Sequence, residues 1–82
     1  MRKPSNPAQP GDARRRISAN LKRLRAERGI SQEVLAEQAD FHRTYISQLE
    51  RCVTNISIDG LERLSAALGV DVVDLLAEQG PK

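Results

Sequence analysis

The chain has 82 residues, which is enough for one small domain and too few for two. Its apolar fraction of 39% and charged fraction of 29% are typical of a folded soluble domain. No apolar run approaches the about 18 residues of a membrane span, and the polar start of the chain is unlike a secretory signal. The single cysteine, Cys52, cannot form an internal disulfide, which favours a cytoplasmic location.

Charge is distributed unevenly along the chain, although the net charge is only +2. Residues 1–30 contain nine basic and two acidic side chains, giving +7, and residues 31–82 contain four basic and nine acidic ones, giving −5. A basic front and an acidic back suggest that one face of the folded chain meets a polyanion. A solvated basic helix would explain the charge pattern equally well.

The order of cap residues and apolar repeats predicts an all-α chain of five helices. Residues 1–11 hold three of the four prolines and show no apolar periodicity, so we predict a flexible tail before one domain over residues 12–82. Asp12, Ser31, Ser57 and Asp71 are candidate N-caps, and glycines end the first and fourth helices. The predicted helices span residues 13–28, 32–39, 43–51, 58–68 and 72–79.

The second and third predicted helices are joined by the three-residue turn 40–42, which is the spacing of a helix-turn-helix. Ala36 is the small residue required where the two helices cross, and Asp40 tolerates the left-handed backbone that the turn needs. Apolar residues at suitable spacing bridge both helices to a core: Leu35, Ala39, Phe41, Ile46 and Leu49. A purely structural helical hairpin is the alternative to a DNA-binding one.

The outward face of the third helix is rich in hydrogen-bond donors. At about 100° per residue, burial of Ile46 and Leu49 turns one group of polar side chains outward and turns Glu50 towards the core. An exposed face without a carboxylate suits contact with base edges and phosphates in a major groove. The outward group consists of Thr44, Ser47, Gln48 and Arg51, flanked by Arg43 and Tyr45.

These residues resemble the Xre/Cro–C1 (lambdoid repressor-like) helix-turn-helix family of transcription regulators. The resemblance is carried by the pairs at 24–25, 35–36 and 46–47 and by the runs 29–32 and 49–51, and it covers about residues 13–79. The hexapeptide His-Arg-Thr-Tyr-Ile-Ser at 42–47 is similar to the controller proteins of restriction–modification systems, which are small dimeric regulators. The resemblance implies a five-helix lambdoid fold and sequence-specific binding to double-stranded DNA.

The resemblance also implies individual roles for residues of this chain. Gln32 matches a residue that contacts a DNA phosphate or an operator base, and Ser47 either contacts phosphate or permits entry into the groove. Tyr45 is expected to contact DNA, with a ring packed over the edge of the core as the alternative. The expected DNA-contacting residues are Gln32, Arg43, Thr44, Tyr45, Ser47, Gln48, Arg51, Thr54 and Asn55.

A structural ion pair between Arg25 and Glu50 is expected from the same resemblance, tying the first helix to the third. The chain departs from the family pattern at Asp40 and Cys52, where relatives commonly have glycine in a left-handed conformation. Val53 and Thr54 replace residues that are often basic in relatives, so the loop should bring less charge to DNA.

The fifth predicted helix is apolar over about 200°, wider than the about 100° stripe that a small core needs. A second copy could bury the excess in a twofold interface formed by Val72, Val73, Leu75 and Leu76. Such a dimer would set two recognition helices about 34 Å apart on a pseudo-palindromic operator. The alternative is a monomeric domain in which these apolar side chains only cap the core of their own chain.

An enzyme is not expected, because one histidine and one cysteine cannot build a metal site of the usual ligand count and no phosphate-binding glycine loop is present. We therefore expect no catalytic residue, metal or cofactor. The expected partners are double-stranded DNA and a second copy of the chain, with RNA polymerase as a further candidate. The alternative function is an antitoxin-type interaction module with autoregulatory DNA binding, since such a module can share this fold and the fold alone does not determine the function.

Overall fold

The computed structural model describes residues 7 and 9–78, and over these residues it contains five α-helices and no strand. The prediction of an all-α, five-helix fold is confirmed, whereas most of the predicted tail 1–11 lies outside the described residues. None of the described helices is long and apolar enough to cross a membrane. The helices are α1 Asp12–Arg28, α2 Gln32–Ala39, α3 Arg43–Glu50, α4 Ile58–Leu68 and α5 Val72–Leu76.

The start of α1 differs from the prediction by one residue. The N-cap is Gly11, with a φ of 89°, and Asp12 is the first residue of the helix. The Asp12 carboxylate accepts a 2.7 Å hydrogen bond from the Gln9 backbone N–H and pairs with Arg15. It therefore reaches back to the preceding turn instead of capping the helix N–H groups ahead of it.

The ends of α3 and α5 come earlier than predicted. Helix α3 stops at Glu50, with Arg51 as its C-cap and Cys52 following at a φ of 63°. Helix α5 stops at Leu76 because the chain becomes extended at Ala77, with φ −67° and ψ 140°. The Asn20 amide from α1 donates 2.9 Å bonds to the carbonyls of Leu75 and Ala77, and this long-range contact fixes where the helix ends.

The core draws on all five helices and includes Leu75. Leu75 has no exposed surface, so it belongs to the core of the single chain, and its prediction as an interface residue is wrong. The about 200° apolar arc of α5 is thus mainly explained by packing within the chain. The buried apolar residues are Ile17, Leu21, Leu24, Leu35, Ala36, Ala39, Ile46, Leu49, Leu61, Leu64, Leu68 and Leu75.

The turn between α2 and α3 has the predicted geometry. Asp40 has a φ of 60°, in the left-handed region, and the Phe41 N–H donates a 2.8 Å bond to the Ala36 carbonyl. Ala36 is 2% exposed at the crossing of the two helices, where a larger side chain would separate them. The second predicted left-handed residue, Cys52, is confirmed as well. Together these features place α3 across α2 with one face turned to solvent.

Candidate nucleic-acid interface

The solvent face of α3 carries the polar side chains that the sequence predicts. Ile46 and Leu49 are buried at 0% and 3% exposure on the opposite face. On the outer face, Arg43, Thr44 and Arg51 are exposed and the shorter or more central side chains Ser47 and Gln48 are half-buried. No carboxylate of α3 lies on this face, so it presents donors and one arginine at either end.

The only acidic residue of α3, Glu50, is held inside. Its side chain is 7% exposed, and its carboxylate accepts bonds from Arg25 Nε at 2.7 Å and Arg25 Nη2 at 3.0 Å. Burial by itself would raise the pKa of Glu50, but the hydrogen bonds from Arg25 and Gln32 and the charges of Arg25 and Lys22 together lower it. The predicted ion pair between α1 and α3 is present, and Glu50 is ionised within it at neutral pH.

Gln32, the first residue of α2, is bound by the same carboxylate. Its Nε2 donates a 3.0 Å bond to Glu50 Oε1, which fixes the amide beside the start of α3. Gln32 and Arg43 line a shallow cleft of about 480 Å³ that opens to solvent, together with Arg25, Ser31 and Glu33. Two of the predicted contact residues are thereby brought together, although Glu33 places an acid at the rim of the cleft.

The ring of Tyr45 is half-buried and packs against Phe41, with the ring centroids 4.9 Å apart. This agrees with the alternative in which the ring packs over the edge of the core. Its hydroxyl donates a 2.6 Å bond to the backbone carbonyl of Asn55. Burial raises the pKa of Tyr45, partly opposed by the charge of Arg63. The hydroxyl proton of Tyr45 is used in the hydrogen bond to the Asn55 carbonyl, while the hydroxyl oxygen can still accept a hydrogen bond.

The loop from residue 51 to residue 57 continues from the exposed face of α3. Asn55 is exposed and Thr54 half-buried, and Val53 is 60% exposed, so no side chain at 53–55 adds charge. Cys52 Sγ lies 3.7 Å from the carbonyl oxygen of Arg14, which brings the basic start of α1 next to the end of α3. Sequence periodicity gives no signal for this proximity, because it arises from the packing of helices distant in sequence.

His42 is the N-cap residue of α3 by position, but its side chain makes no capping bond. Within the described part of the chain, no three His, Cys, Asp or Glu side chains are placed to share a metal ion. The exposed face of α3 offers hydrogen-bond donors and positive charge, and proteins use both to contact nucleic acid.

The sequence pattern of the helix-turn-helix family HTH_3 matches residues 21–75, which include all of α2, α3 and α4. The chain belongs to this helix-turn-helix family. Its resemblance to controller proteins is also confirmed, because several relatives carry that name.

Three of these relatives show the extent of the similarity. The control protein C.BamHI of Bacillus amyloliquefaciens is 55% identical over 47 residues, which are 57% of this chain and 58% of that protein. The control protein C.MunI of a Mycoplasma species is 40% identical over 68 residues, covering 82% of this chain and 92% of that one. The crystal structure of the restriction–modification controller protein C.AhdI from Aeromonas hydrophila superposes with a TM-score of 0.73 at 31% identity, covering 76% of this chain and 94% of that chain. The matched region thus spans under three fifths of C.BamHI but nearly all of C.MunI.

Proposed function

We propose that this protein is a sequence-specific, double-stranded DNA-binding regulator of transcription, with α3 as the helix that enters the major groove. The observation that carries the proposal is the polar, carboxylate-free face of α3, since Glu50 lies on the buried side of the helix, where it binds Arg25 and Gln32. A helix that needed only solubility would usually carry glutamate or aspartate on its exposed face. Phosphates and the acceptor-rich edges of bases repel carboxylates and attract these donors.

Within this proposal the α3 face is divided between bases and phosphates. Gln48 and Thr44 lie centrally and are our candidate base readers, with Ser47 small enough to let the helix approach. Arg43 and Arg51 flank them and are suited to phosphate contacts, as is the Lys22 side chain exposed on α1. Gln32, Thr54, Asn55 and the hydroxyl oxygen of Tyr45 complete the proposed contact surface.

We propose further that the protein binds as a twofold dimer through the remaining apolar surface of α5. Val73 is 67% exposed, and Val72 and Leu76 are half-buried and pack at the edge of the core. An exposed valine of this kind beside two partly covered apolar neighbours favours a self-complementary contact. A twofold dimer would present two α3 helices to half-sites about 34 Å apart on a pseudo-palindromic operator.

The names of the relatives supply the physiological context of the proposal. Two of them are named control proteins and a third is named a restriction–modification controller protein. We therefore propose that this chain acts on its own promoter and on those of neighbouring restriction and modification genes. Such a regulator works in the cytoplasm, has no catalytic activity of its own, and meets RNA polymerase at the promoter.

Selection of preferred duplexes from a random pool, followed by a mobility-shift titration, tests the proposal. Gln48→Ala should relax the preference at one position in each half-site and cost about 1–3 kcal/mol on the preferred duplex. Gln38→Ala, which removes an exposed glutamine from α2, is the matched control and should bind as the wild type does. A wild type that enriches no sequence contradicts the proposal. Equal loss by Gln48→Ala on every duplex would remove Gln48 from the base readers.

A further inference from the structure

Arg63 of α4 is bound to the turn of the helix-turn-helix, outside the surface proposed to contact DNA. Its Nε donates a 3.1 Å bond to the carbonyl of Ala39, and its Nη2 donates to the carbonyl of Asp40. These are the last helical residue of α2 and its left-handed C-cap. One planar guanidinium thus closes the carbonyl end of α2 from a helix 23–24 residues further along the chain.

The same guanidinium lies over the aromatic side chain in the middle of the turn between α2 and α3, Phe41. Its central carbon lies 4.0 Å from the centroid of the Phe41 ring, the geometry of a cation–π contact. The backbone of α4 also lies close to Phe41 at Gly60, one helical turn before Arg63. A Cβ at Gly60 would be only 3.2 Å from Phe41 Cζ. Phe41 is therefore held in place by α4 and has little freedom to tilt.

Contacts continue from Phe41 to the proposed DNA-binding elements. Its ring packs on Tyr45 of α3, and the Tyr45 hydroxyl donates to the Asn55 carbonyl in the loop that follows α3. The positive charge of Arg63 partly opposes the rise that burial causes in the pKa of Tyr45. Arg63, Phe41, Tyr45 and the Asn55 carbonyl form one continuous series of contacts, which we call the Arg63 stack.

We propose that Arg63 is a positioning residue for DNA recognition, which acts through the Arg63 stack to fix α3 and the 53–55 loop relative to α2. The inference rests on the proposed DNA-binding function. Its physical basis is the guanidinium itself, because only a planar group with several N–H donors can bind two carbonyls and stack on a ring at once. A lysine keeps the charge but loses this geometry.

Arg63→Lys tests the proposal, with Arg28→Lys as its matched control. Arg28 also donates to a helix-terminal carbonyl, from Nε to Leu68 at 2.8 Å, but it binds the end of α4 and does not belong to the Arg63 stack. Both substitutions keep the charge and should lower the urea midpoint similarly. On the selected duplex, Arg63→Lys should bind about tenfold more weakly and Arg28→Lys within about twofold of the wild type. Binding to unrelated duplexes should be unchanged in both.

A spectroscopic readout separates positioning from general destabilisation. The chain has one tyrosine and no tryptophan, so the tyrosine band in near-ultraviolet circular dichroism reports Tyr45 alone. Arg63→Lys should weaken this band in the absence of DNA, and Arg28→Lys should leave it intact. If Arg63→Lys does not fold, Phe41→Leu, which removes the ring from the middle of the stack, should give the same weakened band and binding.

The two measurements overturn the proposal in different ways. Full binding and a full tyrosine band in Arg63→Lys would show that charge alone matters at this position. Weak binding with an unchanged band, or equal loss of binding in Arg28→Lys, would show that the effect does not pass through Tyr45. If the wild type selects no sequence, the DNA-binding function fails, while the band comparison still decides whether Arg63 fixes Tyr45.

Discussion

Replacement of Arg25 by methionine is the sharpest test of how α1 and α3 are joined. Arg25→Met keeps the aliphatic length of the side chain but removes both bonds to Glu50 and the 2.9 Å bond to the Ile30 carbonyl. Removing one partner of a fully buried pair costs about 3–5 kcal/mol, whereas exposed pairs contribute under about 1 kcal/mol. Because the Arg25 side chain is 21% exposed and Gln32 still binds Glu50, we expect a loss of about 2–4 kcal/mol in the free energy of unfolding.

The loss should depend on pH in a defined direction. In the wild type the pKa of Glu50 lies below its usual value of 4.5, so the pair contributes its full stability above that pH and loses it as the pH falls through the lowered pKa. In Arg25→Met, burial without a counter-ion should raise the pKa of Glu50. Protonation then relieves the buried charge in the variant, so the difference in stability should be largest near pH 7 and shrink at acidic pH.

Urea unfolding followed by far-ultraviolet circular dichroism at pH 7 and at acidic pH measures both effects. Lys22→Met is the matched control, because Lys22 is exposed and acts on Glu50 only through its charge, so its loss should stay within about 0.5 kcal/mol. A cost below about 0.5 kcal/mol for Arg25→Met at pH 7 would refute the idea that the pair joins the helices. If Arg25→Met lowers the free energy of unfolding by more than this and the loss does not change with pH, the loss comes from packing and from the missing bond to the Ile30 carbonyl, and not from the ion pair.

Two further predictions concern DNA binding and assembly. We expect a dimer to neutralise about six phosphates. A plot of the logarithm of the binding constant against the logarithm of the salt concentration should then have a slope of roughly −5. A slope near zero would exclude phosphate contacts. Val73→Asp should abolish self-association in sedimentation while leaving each chain folded, because Val73 is 67% exposed. Leu75→Asp should unfold the chain instead, since Leu75 is fully buried, and a folded monomer from that variant would contradict its place in the core.

The helix-turn-helix could be predicted because its determinants are local in sequence. Ser31 and Ser57 cap α2 and α4 through bonds to the backbone N–H groups of Val34 and Gly60, within three residues of each cap. The left-handed turn at Asp40 likewise depends on one residue type and its position. The period of Ile46 and Leu49 then decides which side chains of α3 face solvent. Each of these signals can be read within one helical turn.

The features that the sequence did not predict depend on contacts between distant residues. The end of α5 is set by Asn20, whose amide binds carbonyls 55 and 57 residues away, and the same packing buries Leu75. A helical period shows that α5 has an apolar arc, but it cannot say which part of the arc meets the core. Arg63 was missed for the same reason, since nothing near it in sequence indicates that its guanidinium binds the end of α2.

The withdrawal of Glu50 connects the stability of the fold to the chemistry of the α3 face. A buried ion pair often stabilises a protein no more than an apolar pair of the same size, so stability alone gives little reason for an acid at this position. If Glu50 pointed outward instead, its charge at about 4 Å from a phosphate would cost roughly 4 kcal/mol at an effective dielectric constant of 20. The register of α3 places Glu50 on the buried side of the helix, and Arg25 and Gln32 bind its carboxylate there. On the proposed function, the ion pair therefore serves recognition as much as folding, because it joins α1 to α3 and keeps the DNA-facing surface free of negative charge.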